Sequence, residues 1–468
     1  MDSNNNITIE NVANLLKEAA VAYGSYSAVN YGNNAWSYEQ IYKMARGLAS
    51  SISDSFPVKK GQKIMVVLPP SLQLILSYFS LWELGMSPIP VDSKLPLEFI
   101  KKIAGSGKVS GIITFESLYD RIRGEETSSL FTILTNPVEF RSSFSGKNPD
   151  MDRGRIRGSR SKGMEEMCYN EDFDEFEIDP VTDIAVSNVG WNEDGSFNFL
   201  NFSHQKLLNS LNTGLGCFPL RETSPFIVTK EPLNAVEIII SQLLPLKKGC
   251  RMVMVEDASK NIGYFIDKNS MDEPCNIWVS RKTLEYLKTC DSMSIERLSI
   301  IYSNHVYQAE ELDAFGNRKS SIFSMIEDEN FCIPLGFLQH LKNENINRCI
   351  KTQDDKSELD VNSFSEYWAE EMTKLRGNVD LSKIYQFSPD LIYGNVGTRG
   401  NNYLLGNSLP VKMLEDWLRT QHGFEEVFLS LESSCLEIKK ARKESSKLIE
   451  LMPEFSLPFK FAVQNTTQ

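Results

Sequence analysis

Two glycines bracket a short segment whose spacing could hold a phosphate group. The segment reads Gly190-Trp191-Asn192-Glu193-Asp194-Gly195, and Asn198 follows it closely. Glycines let backbone N–H groups approach an anion, while hydroxyl and lysine side chains add donors and positive charge. Glycine pairs also mark ordinary strand–helix turns, and from these residues alone we favour such a turn.

The side chains between these glycines oppose phosphate binding. Trp191 is bulky where small residues are needed, and Asn198 is uncharged. Glu193 and Asp194 would meet a triphosphate as like charges, each costing about 1 kcal/mol at about 4 Å in water and about 4 kcal/mol at an effective dielectric constant of about 20. The alternative is a Mg²⁺ ion held by the two carboxylates, which would turn this repulsion of a triphosphate into attraction.

The remaining reactive residue types suggest structural roles. His204 is expected to cap or pack at the start of a helix that begins at residue 205. The eight cysteines contain no Cys-x-x-Cys pair, as is typical of reduced core thiols. Acidic stretches at 310–313 and 327–329 fit helix N-termini or solvated faces. No His/Cys/Asp cluster in the sequence has zinc spacing, so we predict no metal site.

Composition narrows the class of protein. The 468 residues are 41% hydrophobic, which indicates two or three globular units rather than disorder. A formal net charge of −13 argues against nucleic acid as a partner. The longest apolar run, around residues 75–82, is too short for a membrane span, and the first residues resemble no secretory signal. We therefore expect a cytoplasmic protein without a membrane span.

Segments with strand and helix patterns alternate along the chain, which predicts an α/β fold with parallel strands. Apolar residues recur at helical spacing in two N-terminal blocks, with Ser37 as a cap and a strand-like turn at Ala35-Trp36 between them. The predicted helices are 12–21, 41–48, 71–84, 97–104, 233–244 and 282–287. The predicted strands are 63–68, 87–91, 110–114, 181–189, 226–228, 251–255 and 298–302.

Two further regions complete the predicted organisation. Residues 141–180 are basic and then acidic with few apolar residues, so we predict a flexible charged loop that is either solvated or docks an acidic partner. A smaller C-terminal unit is predicted from residue 394, with helices at 411–420 and 436–451 and a strand at 426–431. The expected domains are therefore 1–393 and 394–468.

Three N-terminal stretches, taken together, resemble the opening of the adenylate-forming (AMP-binding) enzymes. They are 36–40 (WSYEQ), 58–63 (VKKGQK) and 84–90 (LGMSPIP). The nearest match is to the 4-coumarate:CoA ligase and acyl-CoA synthetase branch, and it continues in order through 100–113, 275–279, 283–284 and 294–302. The resemblance implies a large multilayer α/β N-terminal domain and a small α+β C-terminal lid domain, here truncated. It also implies activation of a carboxylic acid by ATP and Mg²⁺, followed by transfer to coenzyme A.

The family's ATP-site motifs are degenerate in this sequence. Alignment from Asp183 places the phosphate loop on residues 190–195, with its lysine at Asn198. The ribose-binding aspartate maps to Asn395, the adenine motif expected after Ser303 has no convincing counterpart, and residues 226–237 lack the family's aromatic-His pair. The catalytic Gly-Lys motif near the C-terminus is not found. The candidate cofactor-binding positions are thus Gly190, Asn192, Gly195, Asn198, Ser303 and Asn395, and we assign no catalytic residue.

These departures lead to several hypotheses about function. The first is a catalytically degenerate acyl-CoA synthetase-like protein that binds a ligand or a protein partner, such as an active paralogue. The second is a functional ATP-dependent acid:CoA ligase with displaced catalytic groups, so enzymatic activity stays open. The third is a nucleotide-free pocket for a small hydrophobic carboxylate, and Trp191 could then fill the former phosphate site.

Overall fold

A computed structural model defines the fold over most of the first 300 residues. The described residues are 11–93, 95–140, 161–169, 176–191, 195–217, 220–230, 232–255, 262–271, 273–279, Thr283, Leu287, Cys290 and Leu298, followed by the backbone of separate strands between 299 and 464. The predictions that lie outside these residues include Asn192, Glu193, Asp194, Asn395, most of the helix predicted at 282–287 and the helix predicted at 411–420.

The N-terminal segment forms a helix, a hairpin and a second helix. Helix α1 spans Val12–Tyr23, strand β1 Ser27–Tyr31, strand β2 Asn34–Ser37 and helix α2 Tyr38–Ser55. Ser37 caps α2 as predicted, and Gln40 completes a capping box. The predicted strand-like turn at Ala35-Trp36 is instead a two-stranded hairpin. The local pattern missed β1 because that strand is held by parallel pairing with a distant strand at Met252.

The first sheet contains five parallel strands. They are β3 (Lys63–Val67), β4 (Ser87–Pro90), β5 (Gly111–Phe115), β6 (Phe131–Thr135) and β7 (Ser161–Gly163), in the order β4-β3-β5-β6-β7. The predicted strands at 63–68, 87–91 and 110–114 are therefore confirmed, and so is their parallel pairing.

Three helices connect these strands: α3 (Leu72–Glu83), α4 (Leu97–Ala104) and α5 (Glu116–Ile122). All residues of α3 from Leu72 to Trp82 are buried, as its apolar sequence requires. Ser71 caps its N-terminus, and Gly85 follows its end with a φ of 61°, a conformation that glycine adopts without strain. Helix α4 has the bounds that the sequence predicted.

The predicted flexible loop at 141–180 is wrong in its middle. Residues 161–163 form β7 at the edge of the first sheet, and helix α6 follows at Met164–Met167. Met164, Met167 and Cys168 are buried, so three apolar side chains among many charges are enough to dock this segment. Residues 141–160 and 170–175 lie outside the described part of the chain.

Strands β8 (Ile184–Trp191) and β9 (Phe197–Ser203) form an antiparallel hairpin that lies beside β4 without joining the first sheet. The N–H groups of Ser87 and Val91 bond to β3, so the intervening positions 88 and 90 face outward. Both are prolines and lack an N–H. A buried contact of 2.8 Å between the hydroxyls of Ser87 and Ser187 links the two elements instead.

The second sheet has eight strands in the order β15-β14-β13-β12-β10-β11-β1-β2. The new strands are β10 (Pro225–Val228), β11 (Arg251–Met254), β12 (Cys275–Trp278), β13 (Leu298–Ser303), β14 (Ile322–Glu327) and β15 (Cys332–Leu335). Strands β14 through β1 are parallel, and the two outermost pairs are antiparallel. The strands predicted at 226–228, 251–255 and 298–302 are confirmed.

Helices α7 (His204–Cys217), α8 (Ala235–Ile238), α9 (Leu244–Lys247) and α10 (Ile262–Asn269) accompany this sheet. The helix predicted at 233–244 is present, but its central turn, Ile239–Leu243, is a π-helix. Gln242 in this turn is 1% exposed, and neither the oxygen nor the nitrogen of its amide has a hydrogen-bond partner among the described residues. Such turns accommodate one extra residue within a helix.

One apolar core lies between the sheets. Ile64 and Val66 of the first sheet and Phe226 and Val228 of the second belong to it, together with the buried faces of α1, α2, α3, α7, α8 and α9. A smaller core covers the opposite face of the second sheet, where Ile227 and Ile277 pack against α10. Among the described residues, no helix is long and apolar enough to cross a membrane.

The C-terminal region is described only as strand backbone. It comprises β16 (Ile350–Gln353), β17 (Lys356–Leu359), β18 (Tyr403–Leu404), β19 (Leu409–Pro410), β20 (Phe424–Ser430), β21 (Cys435–Ala441) and β22 (Lys460–Gln464). The predicted strand at 426–431 corresponds to β20. The predicted helix at 436–451 is wrong over its first six residues, because these pair with β20 and β22 as strand β21.

Candidate functional site

The glycine-bracketed segment is the turn of the β8–β9 hairpin. Gly190 lies opposite Asn198 and Trp191 opposite Phe197, so residues 192–196 form the connection. Asn198 is exposed, and its Oδ1 lies over Gly190, 2.8 Å from where a Cβ would stand. Gly195 has a φ of 79°, which favours glycine. Gly190 and Gly195 therefore belong to a strand–strand hairpin rather than to a strand–helix turn, and residues 192–194 lie outside the described part of the chain.

Trp191 is buried at the base of this turn. Its ring is 5.5 Å from that of Phe99 on α4 and 5.0 Å from that of Phe197, measured between centroids. The ammonium of Lys102, also on α4, lies 5.9 Å from the Trp191 ring and donates a hydrogen bond of 2.5 Å to the carbonyl oxygen of Gly195. Within the described part of the chain, the indole Nε1 of Trp191 has no hydrogen-bond partner.

These contacts do not fit a bound triphosphate. An uncharged Asn198 supplies no cation, and a buried indole stands where the backbone would need to approach an anion closely. The nearest ammonium, that of Lys102, is already bonded to a carbonyl oxygen of the turn. We therefore derive no reaction step through ATP, Mg²⁺ or coenzyme A.

A second polar group lies at the carboxyl edge of the second sheet, where open parallel sheets usually bind ligands. Lys230 follows β10, and its Nζ is 2.5 Å from Oε1 of Glu237 in the first turn of α8. The Glu237 side chain is 0% exposed and that of Lys230 is 16% exposed. Ser303, which the resemblance makes a candidate cofactor-binding position, ends the backbone of β13 at this same edge.

Local backbone geometry fixes Glu237. Its Oε2 accepts a hydrogen bond of 2.8 Å from the N–H of Leu233, and its own N–H bonds to Oδ1 of Asn234. Asn234 thus acts as the cap of α8. The same carboxylate therefore holds both the turn after β10 and the ammonium of Lys230.

Trp278 ends β12, the strand next to β10 in the second sheet. It is paired in register with Val228, two residues before Lys230, and its side chain is 0% exposed. The backbone carbonyl of Trp278 accepts a 2.7 Å hydrogen bond from the hydroxyl of Thr229, whereas its indole Nε1 has no partner among the residues that the structure describes. One buried donor and one partly exposed cation therefore lie on adjacent strands.

The sequence analysis missed the Lys230–Glu237 pair. It searched residues 226–237 only for an aromatic-His motif. The available signal was a lysine and a glutamate seven positions apart, on either side of the potential cap Asn234, in a mostly apolar window that also holds Glu231. Opposite charges in such a window are expected to be paired when they are buried.

His204 packs at the start of α7, as predicted, although the helix includes His204 itself. Its side chain is fully buried, and its Nδ1 accepts a 3.2 Å hydrogen bond from the N–H of Val12. Burial lowers the pKa of His204 to about 4, while the nearby Asp183 raises that pKa and Lys60 lowers it further. The imidazole is therefore neutral, which excludes a role as a cation at this site.

Three of the described cysteines are core thiols. Cys168, Cys250 and Cys275 are free and buried, and burial raises the pKa of Cys250 and of Cys275 to about 12. Within the described residues no group of three or more His, Cys, Asp and Glu side chains is arranged to hold a metal ion.

Comparison with known proteins identifies the class to which this fold is similar. Residues 16–155 match the AMP-binding enzyme family. Among solved structures, the chain is similar to the inhibitor-bound N-terminal domain of FACL13 from Mycobacterium tuberculosis, with a TM-score of 0.56, 10% identity and coverage of 71% of this chain and 80% of that chain. No curated protein matches the sequence significantly.

Two further structures support the same class. A Mycobacterium tuberculosis fatty acyl CoA synthetase has a TM-score of 0.53 and 10% identity, with 68% of this chain and 59% of that chain covered. The anthranilate CoA ligase AuaEII in complex with anthranoyl-AMP has a TM-score of 0.55 and 13% identity, with 68% of this chain and 60% of that chain covered. The chain thus spans less than two thirds of these two enzymes. The predicted resemblance to the adenylate-forming superfamily is confirmed, as is the α/β fold of its N-terminal domain.

Proposed function

We propose that this chain is an acyl-CoA synthetase-like protein that has lost ATP-dependent adenylation and acts as a binding protein. The observation that carries the proposal is the burial of Trp191 between Phe99 and Phe197 at the base of the hairpin turn. This turn aligns with the phosphate loop of the family. An aromatic cluster in this position replaces the donors and the cation that a triphosphate requires.

The sequence of the turn adds an electrostatic argument. Glu193 and Asp194 would repel a triphosphate, and Asn198 leaves that repulsion uncompensated. The alignment also places an amide, Asn395, at the position of the ribose-binding carboxylate. An amide is a weaker acceptor for two ribose hydroxyls than a charged carboxylate is.

The ligand that we propose is a small hydrophobic carboxylate bound near Lys230. The ammonium of Lys230 is the cation at the carboxyl edge of β10, and it retains 16% exposure although Glu237 is fully buried. The apolar side chains of Val228 and Trp278 lie on the adjacent strand ends. A partly exposed cation at the end of an apolar core suits the carboxylate of an acid with an apolar tail.

An ATP-dependent acid:CoA ligase is the second candidate function. The match of residues 16–155 to the AMP-binding enzyme family favours it. If the chain is a ligase, groups other than those at the hairpin turn must contact the nucleotide. A third role, pairing with a protein partner such as an active paralogue, is compatible with a binding protein of this fold.

Calorimetric titration with ATP·Mg²⁺, together with a thermal-shift assay, separates the first two candidates. A ligand at about 100 times its Kd stabilises the native state by about 2.7 kcal/mol. We expect neither heat nor a thermal shift at millimolar nucleotide. Micromolar binding would contradict the proposal, and the next experiment would then be an acyl-adenylate assay with aromatic and fatty acids.

The ligand is tested with a series of fatty and aromatic acids by the same methods. We compare the wild type with E237Q, which keeps the cation but weakens its partner, and with K230M/E237Q, which has no charge at either position. The affinity for acids should be kept or raised in E237Q and lost in the double variant. Equal affinity in all three proteins would exclude Lys230 as the carboxylate contact.

A further inference from the structure

We propose that contacts between helix α4 and both ends of the β8–β9 turn form a conformational lock that holds the hairpin closed. We name it the α4 lock and define it by Phe99, Lys102, Trp191, Gly195 and Phe197. The inference deepens the proposed function and rests on it, because it concerns how the same hairpin is controlled.

The first end of the turn is fixed by aromatic packing. Trp191 is 3% exposed and Phe99 is 7% exposed, and their rings meet edge to face at an interplanar angle of 73°. Phe197 packs on Trp191 from the opposite strand at 57°. Edge-to-face contacts add to the free energy gained from burial, so this end of the turn is held firmly on α4.

The second end is fixed by a single polar contact. Lys102 in the last turn of α4 donates its hydrogen bond to the carbonyl oxygen of Gly195. The same ammonium lies over the ring of Trp191, which anchors the first end. One cation therefore joins both ends of the turn to one helix.

The two halves of the lock differ in their exposure to solvent. The aromatic contacts are buried, whereas Lys102 is exposed and accessible from solvent. The hydrogen bond to Gly195 is therefore the half that opens first. Once it breaks, the second end of the turn is free to move while Trp191 stays packed on Phe99.

Hydrogen–deuterium exchange tests this lock in the full chain without added nucleotide. Four proteins are compared: the wild type, K102M, K102R and K101M. Lys101 is the matched control because it lies in the same helical turn and its side chain has no ion pair or hydrogen bond in the described part of the chain. Amides of helix α3 serve as an internal standard, since their exchange rates report on global folding.

We expect K102M to raise the exchange rate of amides at residues 195–197 about 5-fold, as loss of one hydrogen bond predicts. K101M should leave that rate unchanged, and K102R should restore most of the protection because arginine also donates from a cation. Equal exchange in K102M and wild type, or an equal increase in K101M, would overturn the lock. Raised exchange in α3 would identify a folding defect in K102M. In that case F99L, which weakens only the aromatic half of the lock, is measured instead. An unchanged exchange rate of amides 195–197 in F99L would also overturn the lock.

The outcome is independent of nucleotide affinity. If ATP·Mg²⁺ binds tightly to the wild type, the proposed loss of adenylation is contradicted. The exchange rates of the four proteins still test the α4 lock in that case. If no nucleotide binds and K102M exchanges like the wild type, the lock alone fails.

Discussion

The ammonium of Lys247 donates hydrogen bonds to both carboxylate oxygens of Glu18, each at 2.7 Å, across 229 positions of sequence. Glu18 lies in α1 and Lys247 at the end of α9, so this pair joins the N-terminal helix to the second sheet. The hydroxyl of Tyr23 reinforces it by donating to the carbonyl oxygen of Lys247. The first helix is thereby fixed to an element that follows it by more than 200 residues.

The Glu18–Lys247 pair should contribute modestly to stability. Its side chains are 30% and 25% exposed, so we expect a coupling free energy of about 0.5–1 kcal/mol from a double-mutant cycle of E18Q and K247M. The measurement is urea unfolding, and 1 M NaCl should reduce the coupling. Additive effects of the two substitutions would show that the pair contributes nothing.

His204 should make the protein less stable in mild acid. Its folded-state pKa of about 4 lies below the ordinary value of 6.5, so the unfolded chain binds a proton that the folded protein refuses. The contribution of neutral His204 to the free energy of unfolding is fully present above pH 6.5 and is lost as the pH falls toward 4. At pH 5 the free energy of unfolding should be lower by about 2 kcal/mol.

The check is the free energy of urea unfolding at pH 7 and pH 5 for the wild type and H204Q. Glutamine can accept the N–H of Val12 but does not titrate. The loss of stability on going to pH 5 should therefore be about 2 kcal/mol smaller in H204Q. An identical pH dependence in both proteins would show that His204 is not the responsible group.

The Lys230–Glu237 pair predicts an asymmetric response to substitution. K230M leaves a buried carboxylate without its cation and should lower the free energy of unfolding by about 3 kcal/mol. Adding E237Q removes the uncompensated charge, so the double variant should recover part of that loss. Denaturant unfolding of the two variants measures the difference, and a double variant less stable than K230M would contradict this account.

The sequence was sufficient to predict six of the parallel strands, β3, β4, β5, β10, β11 and β13, and the helices α1 to α4, whereas β6, β12, α5 and α10 were not predicted. Short apolar runs such as 63–68 and capping residues such as Ser37 and Ser71 determine these elements locally. Strand β1 and the β7–α6 segment could not be found in this way. Both depend on pairing or burial against parts of the chain that are distant in sequence.

The candidate site was predicted less completely than the fold. The hairpin turn at Gly190 and Gly195 follows from glycine chemistry, but the aromatic cluster around Trp191 depends on Phe99 from another element. The Lys230–Glu237 pair was missed because its partners meet only when Asn234 caps a helix between them. Motif alignment compares a chain with the functional groups of a family, whereas three-dimensional packing shows which side chains surround those positions.

The prolines of β4 have a consequence for self-association. A strand at the edge of a sheet is a template for strands of other molecules, because its outward N–H groups are unpaired. Pro88 and Pro90 remove two such donors from the outer edge of β4. A partly folded chain whose β8–β9 hairpin has not yet docked thus exposes an edge that is poorly able to recruit a second chain. Because Pro88 and Pro90 lack N–H groups on this edge, we expect them to disfavour intermolecular β-pairing while the hairpin is undocked.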